Sequence, residues 1–137
     1  MTTATWRSRA RILGFAAAFS GAALLAVSGA SGQGAPEDNP ELFDALMSEG
    51  EGAYNSNCAG CHGADGGGGA GPTLAGNDYL ASVRSLVGQT LAGNPDRGMP
   101  PFAGLSDREI AALTTYARNS WGNAYGLVLE ETVSAYR

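Results

Sequence analysis

The sequence contains no lysine, a single histidine at position 62 and only two cysteines, at positions 58 and 61. Its eight positively charged residues are therefore all arginines, and thirteen acidic residues outnumber them, which gives a formal net charge of −5. An acidic chain without lysine is poorly suited to bind nucleic acid or an anionic membrane surface, because both attract clustered positive charge. The partners of this chain are therefore expected to be proteins.

The amino-terminal segment has the order of a secretory signal. Three arginines precede an uncharged stretch over residues 12–30, which ends in small residues. This order predicts a signal peptide over residues 1–30, cleaved after Ala30, with Gly32 or Gly34 as alternative sites. An uncleaved membrane anchor is the alternative, since 19 uncharged residues roughly span a bilayer. Cleavage would leave five arginines against all thirteen acidic residues, a net charge of −8.

The rest of the chain is predicted to be one all-α domain. Residues 31–39 are small and polar and indicate a flexible lead-in, so the domain is placed at residues 40–137. The sequence shows no alternation typical of strands and no internal repeat. Apolar spacing predicts helices over residues 40–57, 78–91 and 107–119, and a weaker helix over residues 127–136, with a glycine-rich loop over residues 63–76.

Two of these helices have clear start signals. Asn39, followed by proline, is a favourable N-cap for the first helix. Ser106, with Glu109 three residues later, forms the capping box of the last helix. Glycine is costly inside a helix, so Gly50 and Gly52 indicate that another element passes close to the first helix.

Both cysteines and the only histidine fall in Cys58-Ala59-Gly60-Cys61-His62. Two thiols at this spacing can add to the two vinyl groups at one edge of a haem, and the following histidine can then reach the iron. A structural disulfide or a thioredoxin-like motif leaves His62 unexplained, and the thioredoxin setting requires a preceding strand. A zinc site would lack a fourth ligand. The motif therefore predicts one covalently bound haem c.

A six-coordinate haem iron needs a second axial ligand, and the candidates are Met47 and Met99, because the chain has no other histidine and no lysine. Met47 lies on the apolar face of the first helix, where packing in the core explains it. Met99 lies between Gly98 and Pro100, in a stiff loop that can present a side chain. Two axial ligands leave no open position on the iron, so His62 with Met99 predicts electron transfer rather than catalysis.

Other residues are candidates for supporting roles. The carbonyl of Pro72 is the candidate partner for the second ring nitrogen of His62, with a plain turn residue as the alternative. Five residues could donate hydrogen bonds to haem propionates: Arg84, Arg97, Asn77, Tyr79 and Trp121. Their roles as solvated arginines, a helix cap and core aromatics explain them equally well.

These residues, taken in order, resemble the bacterial monohaem class I cytochromes c over residues 41–123. The motifs are Gly50-x-x-x-Tyr54-x-x-x-Cys58-x-x-Cys61-His62-Gly63, Gly71-Pro72-x-Leu74, Met99-Pro100-Pro101-Phe102 and a last helix that carries Tyr116. The resemblance implies the class I cytochrome c fold, with three to five helices around one haem. It also implies that Gly50 meets Tyr116 where the first and last helices cross, that Pro72 orients His62, and that Met99 is the axial ligand.

The function expected from these residues is periplasmic one-electron transfer, by a diffusible carrier or by a cytochrome subunit of an oxidoreductase, and not catalysis by the chain alone. The resemblance implies a periplasmic dehydrogenase or reductase as one partner, with an oxidase or another carrier downstream. The alternative is a haem enzyme or gas-binding sensor with a labile distal ligand. Because the chain lacks a lysine ring, docking is expected at an apolar patch around the haem edge with Pro101, Phe102 and Ala64.

Overall fold

The computed structural model describes residues 38–137, which form helices joined by loops. The α-helices are α1 (Pro40–Asn57), α2 (Ala59–His62), α3 (Val83–Ala92), α4 (Asp107–Asn119) and α5 (Glu130–Ser134), and the 3₁₀ helices are Asp78–Ala81 and Pro95–Arg97. Within these residues the only β pairing is one isolated bridge, between Asn94 and Met99. The all-α prediction is therefore confirmed.

The predicted signal peptide over residues 1–30 lies outside the described residues, as does the lead-in up to residue 37. From residue 38 onward, no helix combines the length and the apolar character needed to cross a membrane.

The two predicted helix starts are confirmed. The side chain of Asn39 accepts a hydrogen bond from the backbone N–H of Leu42 at 3.0 Å, and α1 runs from residue 40 to residue 57 as the apolar spacing indicates. Ser106 and Glu109 form a reciprocal capping box, in which each side chain accepts from the backbone N–H of the other. These bonds pair backbone donors that a helix cannot satisfy internally.

The core is built around α4. Eight of its thirteen residues are buried, more than one amphipathic face would require, because both α1 and α5 pack against it. Small side chains such as Ala111 and Ala112 allow these close approaches. The core is completed by buried apolar side chains from the other elements, among them Leu46, Val87, Val128 and Val133.

The crossing of α1 and α4 explains one of the two glycines in α1. A Cβ atom at Gly50 would lie 2.7 Å from the Cβ of Tyr116 and would collide with the backbone of Ala112. Gly50 therefore meets Tyr116, as the resemblance implies. Apart from the neighbouring turns of α1 itself, nothing lies within 4 Å of the equivalent position at Gly52, so the expectation that both glycines mark a close contact is wrong for Gly52.

Two predicted helices differ from the observed ones. The helix expected over residues 78–91 is interrupted at Ser82, which has an extended backbone and caps α3 through a hydrogen bond from the N–H of Ser85 at 3.2 Å. The helix expected over residues 127–136 is only α5. Before it, the N–H of Val128 donates to the hydroxyl of Thr115 at 2.8 Å, so a tertiary contact replaces the first helical turn.

Candidate cofactor site

One cavity of about 550 Å³ collects the residues that the sequence singled out. It is lined by all five predicted site residues, Cys58, Cys61, His62, Pro72 and Met99. Its size is within the range usual for cofactor sites. Met47, the other methionine considered, is half-buried on α1 and is not among the residues that line the cavity.

The cysteine motif sits where α1 ends. Cys58 is the C-cap residue of α1, with its N–H bonded to the carbonyl of Tyr54 at 2.8 Å, and the single turn of α2 carries Cys61 and His62. Both thiols are free. Burial is the main cause that raises the pKa of the Cys58 thiol to about 11, and the negative charge that Cys61 can carry contributes to a smaller extent. Cys58 is therefore a neutral thiol at neutral pH before any covalent attachment.

The alternatives to haem attachment find no support at this motif. The element before it is α1 rather than the strand of a thioredoxin-like unit. In the described part of the chain, no group of three or more histidine, cysteine or acidic side chains is arranged to hold a metal ion. Two thiols and one imidazole remain, facing a common cavity.

The ring of His62 is held by the glycine-rich loop. Its Nδ1 lies 2.8 Å from the carbonyl oxygen of Pro72. A carbonyl can only accept, so Nδ1 carries the proton and Nε2 is left with its lone pair free for a metal. A Cβ atom at Gly71 would lie 2.7 Å from Cε1 of the ring, so only glycine lets the loop lie against the imidazole. The loop is packed against His62, not solvated along its whole length.

Met99 is presented by a short closed loop. Asn94 and Met99 exchange two backbone hydrogen bonds, at 2.8 and 3.0 Å, around the 3₁₀ helix Pro95–Arg97. The N–H of Phe102 donates to the carbonyl of Thr90 at 3.1 Å, which ties the chain after Met99 to α3. The backbone that carries Met99 is therefore fixed by hydrogen bonds on both sides.

The lining of the cavity suits a large, mostly apolar group that carries some negative charge. Arg97 is its only charged residue, and no carboxylate from residues 38–137 lines it. Most of the wall is formed by apolar side chains such as Leu80, Leu86, Phe102 and Leu113. With two free thiols and an imidazole of defined tautomer, the residues present fit a covalently attached haem.

The structure separates the candidate propionate donors. Arg97, Asn77 and Tyr79 line the cavity. The hydroxyl of Tyr79 already donates to the carbonyl of Ser85 at 3.1 Å. Two candidates do not reach the cavity, since Arg84 lies over the ring of Tyr136 and Trp121 packs against Tyr54 and Tyr116.

Of the three residues expected in a docking patch, Phe102 is half-buried and lines the cavity. Pro101 and Ala64 are exposed, and neither is among the residues that line it.

Three residues with supporting contacts were not recognised from the sequence. Gln89 on α3 points its amide nitrogen at the sulfur of Met99, at 3.6 Å. Asn123 donates to the carbonyl of Leu74 at 2.9 Å, so it fixes the loop that follows Pro72. Tyr54 belongs to the motif that carries the resemblance, but the sequence does not predict its hydrogen bond.

The buried hydroxyl of Tyr54 donates to the carbonyl of Gly63 at 2.7 Å. Burial is the main cause that raises the pKa of Tyr54 to about 12, so the phenol stays protonated and the bond persists at neutral pH. The bond joins the end of α1 to the residue that follows His62. The hydrogen bond therefore holds the far end of the cysteine motif close to α1.

Residues 45–116, more than half of the chain, match the family model of cytochrome c oxidase, cbb3-type, subunit III. The chain belongs to this family. It is also 36% identical over 101 residues to the cbb3-type cytochrome c oxidase subunit FixP of Azorhizobium caulinodans. That alignment covers 66% of this chain but only 34% of FixP, so the chain spans about a third of the length of this relative.

As a member of this bacterial cytochrome c family, the chain carries covalently bound haem c and transfers electrons. The cavity described above has the residues needed to hold that group.

Proposed function

We propose that this chain is a periplasmic one-electron transfer domain with one haem c, attached through Cys58 and Cys61 and coordinated by His62 and Met99. The observation that carries the proposal is that all four side chains line the same cavity. The haem supplies the redox-active iron, and the chain supplies the attachment, the ligands and an apolar enclosure.

The two proposed ligands are held in different ways. His62 has its Nδ1 proton directed at the carbonyl of Pro72, which orients the ring and leaves Nε2 available. Met99 is held by its pair of backbone bonds with Asn94. A thioether ligand stabilises the reduced state of the iron more than a second imidazole would, and it favours a relatively high potential. With both positions filled by protein, small molecules have no open site.

The cellular setting is also part of the proposal. The amino-terminal segment over residues 1–30 has the composition of an export signal, so we place the domain at residues 40–137 in the periplasm, either released by cleavage or held by an uncleaved anchor. FixP is named as an oxidase subunit, which supports an oxidase as the electron acceptor. A periplasmic dehydrogenase or reductase as the other partner rests on the family resemblance alone. An acidic domain without lysine fits protein partners better than nucleic acid.

The mass of the protein purified from a host that matures c-type cytochromes tests the attachment. We expect the mass of the processed chain plus one haem, and a Cys61→Ala variant with weakened or absent covalent haem. A wild-type mass without haem would contradict the proposal. The same measurement reports where the signal segment is cleaved.

Spectroscopy and potentiometry test the axial ligands. We expect the ferric protein to show the methionine–iron charge-transfer band, and Met99→Ala to lose that band, lower the potential and bind carbon monoxide in the ferrous state. Met47→Ala is the matched control and should change none of these. If wild-type ferrous protein bound carbon monoxide readily, a gas-binding sensor or haem enzyme would be the better description.

Gel filtration of a native extract separates the two forms of the proposal. Elution of the haem protein at the size of a single small domain supports a free carrier. Elution together with a large oxidoreductase supports a permanently bound subunit.

A further inference from the structure

The amide of Gln89 makes two contacts that converge on the loop of Met99. Its nitrogen lies 2.8 Å from the carbonyl oxygen of Gly93 and 3.6 Å from the sulfur of Met99. A side-chain amide nitrogen has two hydrogens, so it can serve both acceptors at once. Gln89 is half-buried and itself lines the cavity.

The contact with Gly93 fixes which way the amide points. Its partner carbonyl belongs to the C-cap residue of α3, whose own N–H bonds back to the main-chain carbonyl of Gln89 at 2.8 Å. If the amide were flipped, its oxygen would face the carbonyl of Gly93 and the sulfur, neither of which can donate. The side-chain nitrogen is therefore the atom that faces Met99.

We infer that Gln89 is a positioning residue for electron transfer, which donates a hydrogen bond to the sulfur of Met99 and raises the reduction potential of the haem. The inference rests on the proposed function, because it requires Met99 to be an iron ligand. An N–H dipole aimed at the thioether draws electron density from the sulfur and places partial positive charge beside it. Both effects favour the iron after it has gained one electron.

The test is potentiometry and absorption spectroscopy of the haem-loaded Gln89→Leu variant, which keeps an apolar side chain but has no donor. We expect the charge-transfer band to persist and the equilibrium constant for reduction to fall about threefold, as expected for the loss of one modest hydrogen bond. At one electron, that change is about 28 mV. Ser85→Ala is the matched control, because it removes a side-chain bond from the same helix at a residue that does not line the cavity.

A second measurement uses the wild-type protein, so it does not depend on how a variant folds. In the ferrous, diamagnetic state, nuclear Overhauser contacts are expected between the side-chain amide protons of Gln89 and the methyl group of Met99. Absence of these contacts overturns the inference. A reduction potential of Gln89→Leu that is no lower than that of Ser85→Ala also overturns the inference. So does loss of the charge-transfer band in Gln89→Leu, because Gln89 would then only hold the loop of Met99 in place.

The result with Met99→Ala separates this inference from the proposed function. If Met99→Ala keeps the charge-transfer band, Met99 is not the ligand, and the ligand assignment fails together with the inference. If Met99→Ala loses the band while Gln89→Leu keeps the wild-type potential, only the role of Gln89 is wrong.

Discussion

Gly50 of α1 lies directly against the backbone of Ala112 in α4, so that a Cβ atom on Gly50 would come within 2.7 Å of the carbonyl carbon of Ala112. The two helices cross at this point, and the crossing joins the helix that ends at the cysteine motif to the helix at the centre of the core. The contact is made with backbone atoms, which cannot rotate away. A side chain can be accommodated only if the helices separate.

Replacement of Gly50 by alanine is therefore expected to destabilise the protein by about 1–3 kcal/mol, the usual cost of overpacking a core. Gly52→Ala in the same helix is the matched control, since nothing lies within 4 Å of its added methyl group. Better helix propensity should make that variant more stable by roughly 0.5–1 kcal/mol. Denaturant unfolding followed by circular dichroism measures both, and equal effects of the two substitutions would contradict the crossing.

Tyr54→Phe is expected to lower the free energy of unfolding by about 0.5–1.5 kcal/mol, because the buried bond from its hydroxyl to the carbonyl of Gly63 is lost. The comparison variant is Tyr125→Phe, which loses a hydroxyl bond to Asp78 in an exposed setting and should cost less. Thermal unfolding of the haem-bound proteins measures the difference. A Tyr125→Phe variant as unstable as Tyr54→Phe would show that the Gly63 contact has no special importance.

Arg118 is only 4% exposed, although it carries a charge. Its guanidinium donates to backbone carbonyls, including those of Leu80 at 2.5 Å, Gly126 at 3.1 Å and Tyr125, and no carboxylate is among its described acceptors. Burial lowers the pKa of this guanidinium from its ordinary value. The side chain thus ties the segment before α5 and the 3₁₀ helix Asp78–Ala81 to α4.

Arg118→Met should therefore lower the free energy of unfolding by at least about 2 kcal/mol, because several buried carbonyls lose their donor together. Arg118→Lys should recover only part of the loss, because one ammonium group cannot donate to all the carbonyls that the planar guanidinium of arginine reaches. The control is Arg84→Met, which removes an exposed arginine that lies 5.2 Å from the ring centre of Tyr136. A cost there similar to that of Arg118→Met would contradict the proposed anchoring role.

The capping box predicts a pH dependence of stability. The backbone N–H of Ser106, and then its hydroxyl, lower the pKa of Glu109 from the ordinary value of 4.5. Because the pKa is lower in the folded state, the carboxylate stabilises the protein above pH 4.5, and this contribution is lost as the pH falls through the folded-state pKa. The hydrogen bonds from Arg108 lower the pKa of Glu49 in the same direction.

Denaturant unfolding measured from pH 7 down to pH 3 should therefore show falling stability below about pH 4.5, with a shallower slope in Glu109→Gln. Glu49→Gln should reduce the slope independently, because the two carboxylates have different partners. If Glu109→Gln and the wild type had the same slope, the capping carboxylate would not be responsible.

Local signals predicted the elements whose causes are local. Asn39 begins α1 through its own side chain, and Ser106 begins α4 through a partner three residues away, so both starts are visible in the sequence. The interruption at Ser82 was missed because the spacing of apolar residues continues across it. The start of α5 was misplaced because Val128 bonds to Thr115, a contact between residues that are distant in the sequence.

The sequence alone predicted the haem c and its proposed attachment, because Cys58, Cys61 and His62 are neighbours in one short motif whose chemistry depends on spacing. The tertiary structure decided what surrounds them. It brought Met99 rather than Met47 to the cavity, aimed the carbonyl of Pro72 at His62, and placed the amide of Gln89 against the sulfur of Met99. Met99 and Pro72 could be singled out from their local sequence and from the family resemblance. The contact of Gln89 with Met99 depends on how α3 packs against the loop of Met99, and no spacing along the chain records it.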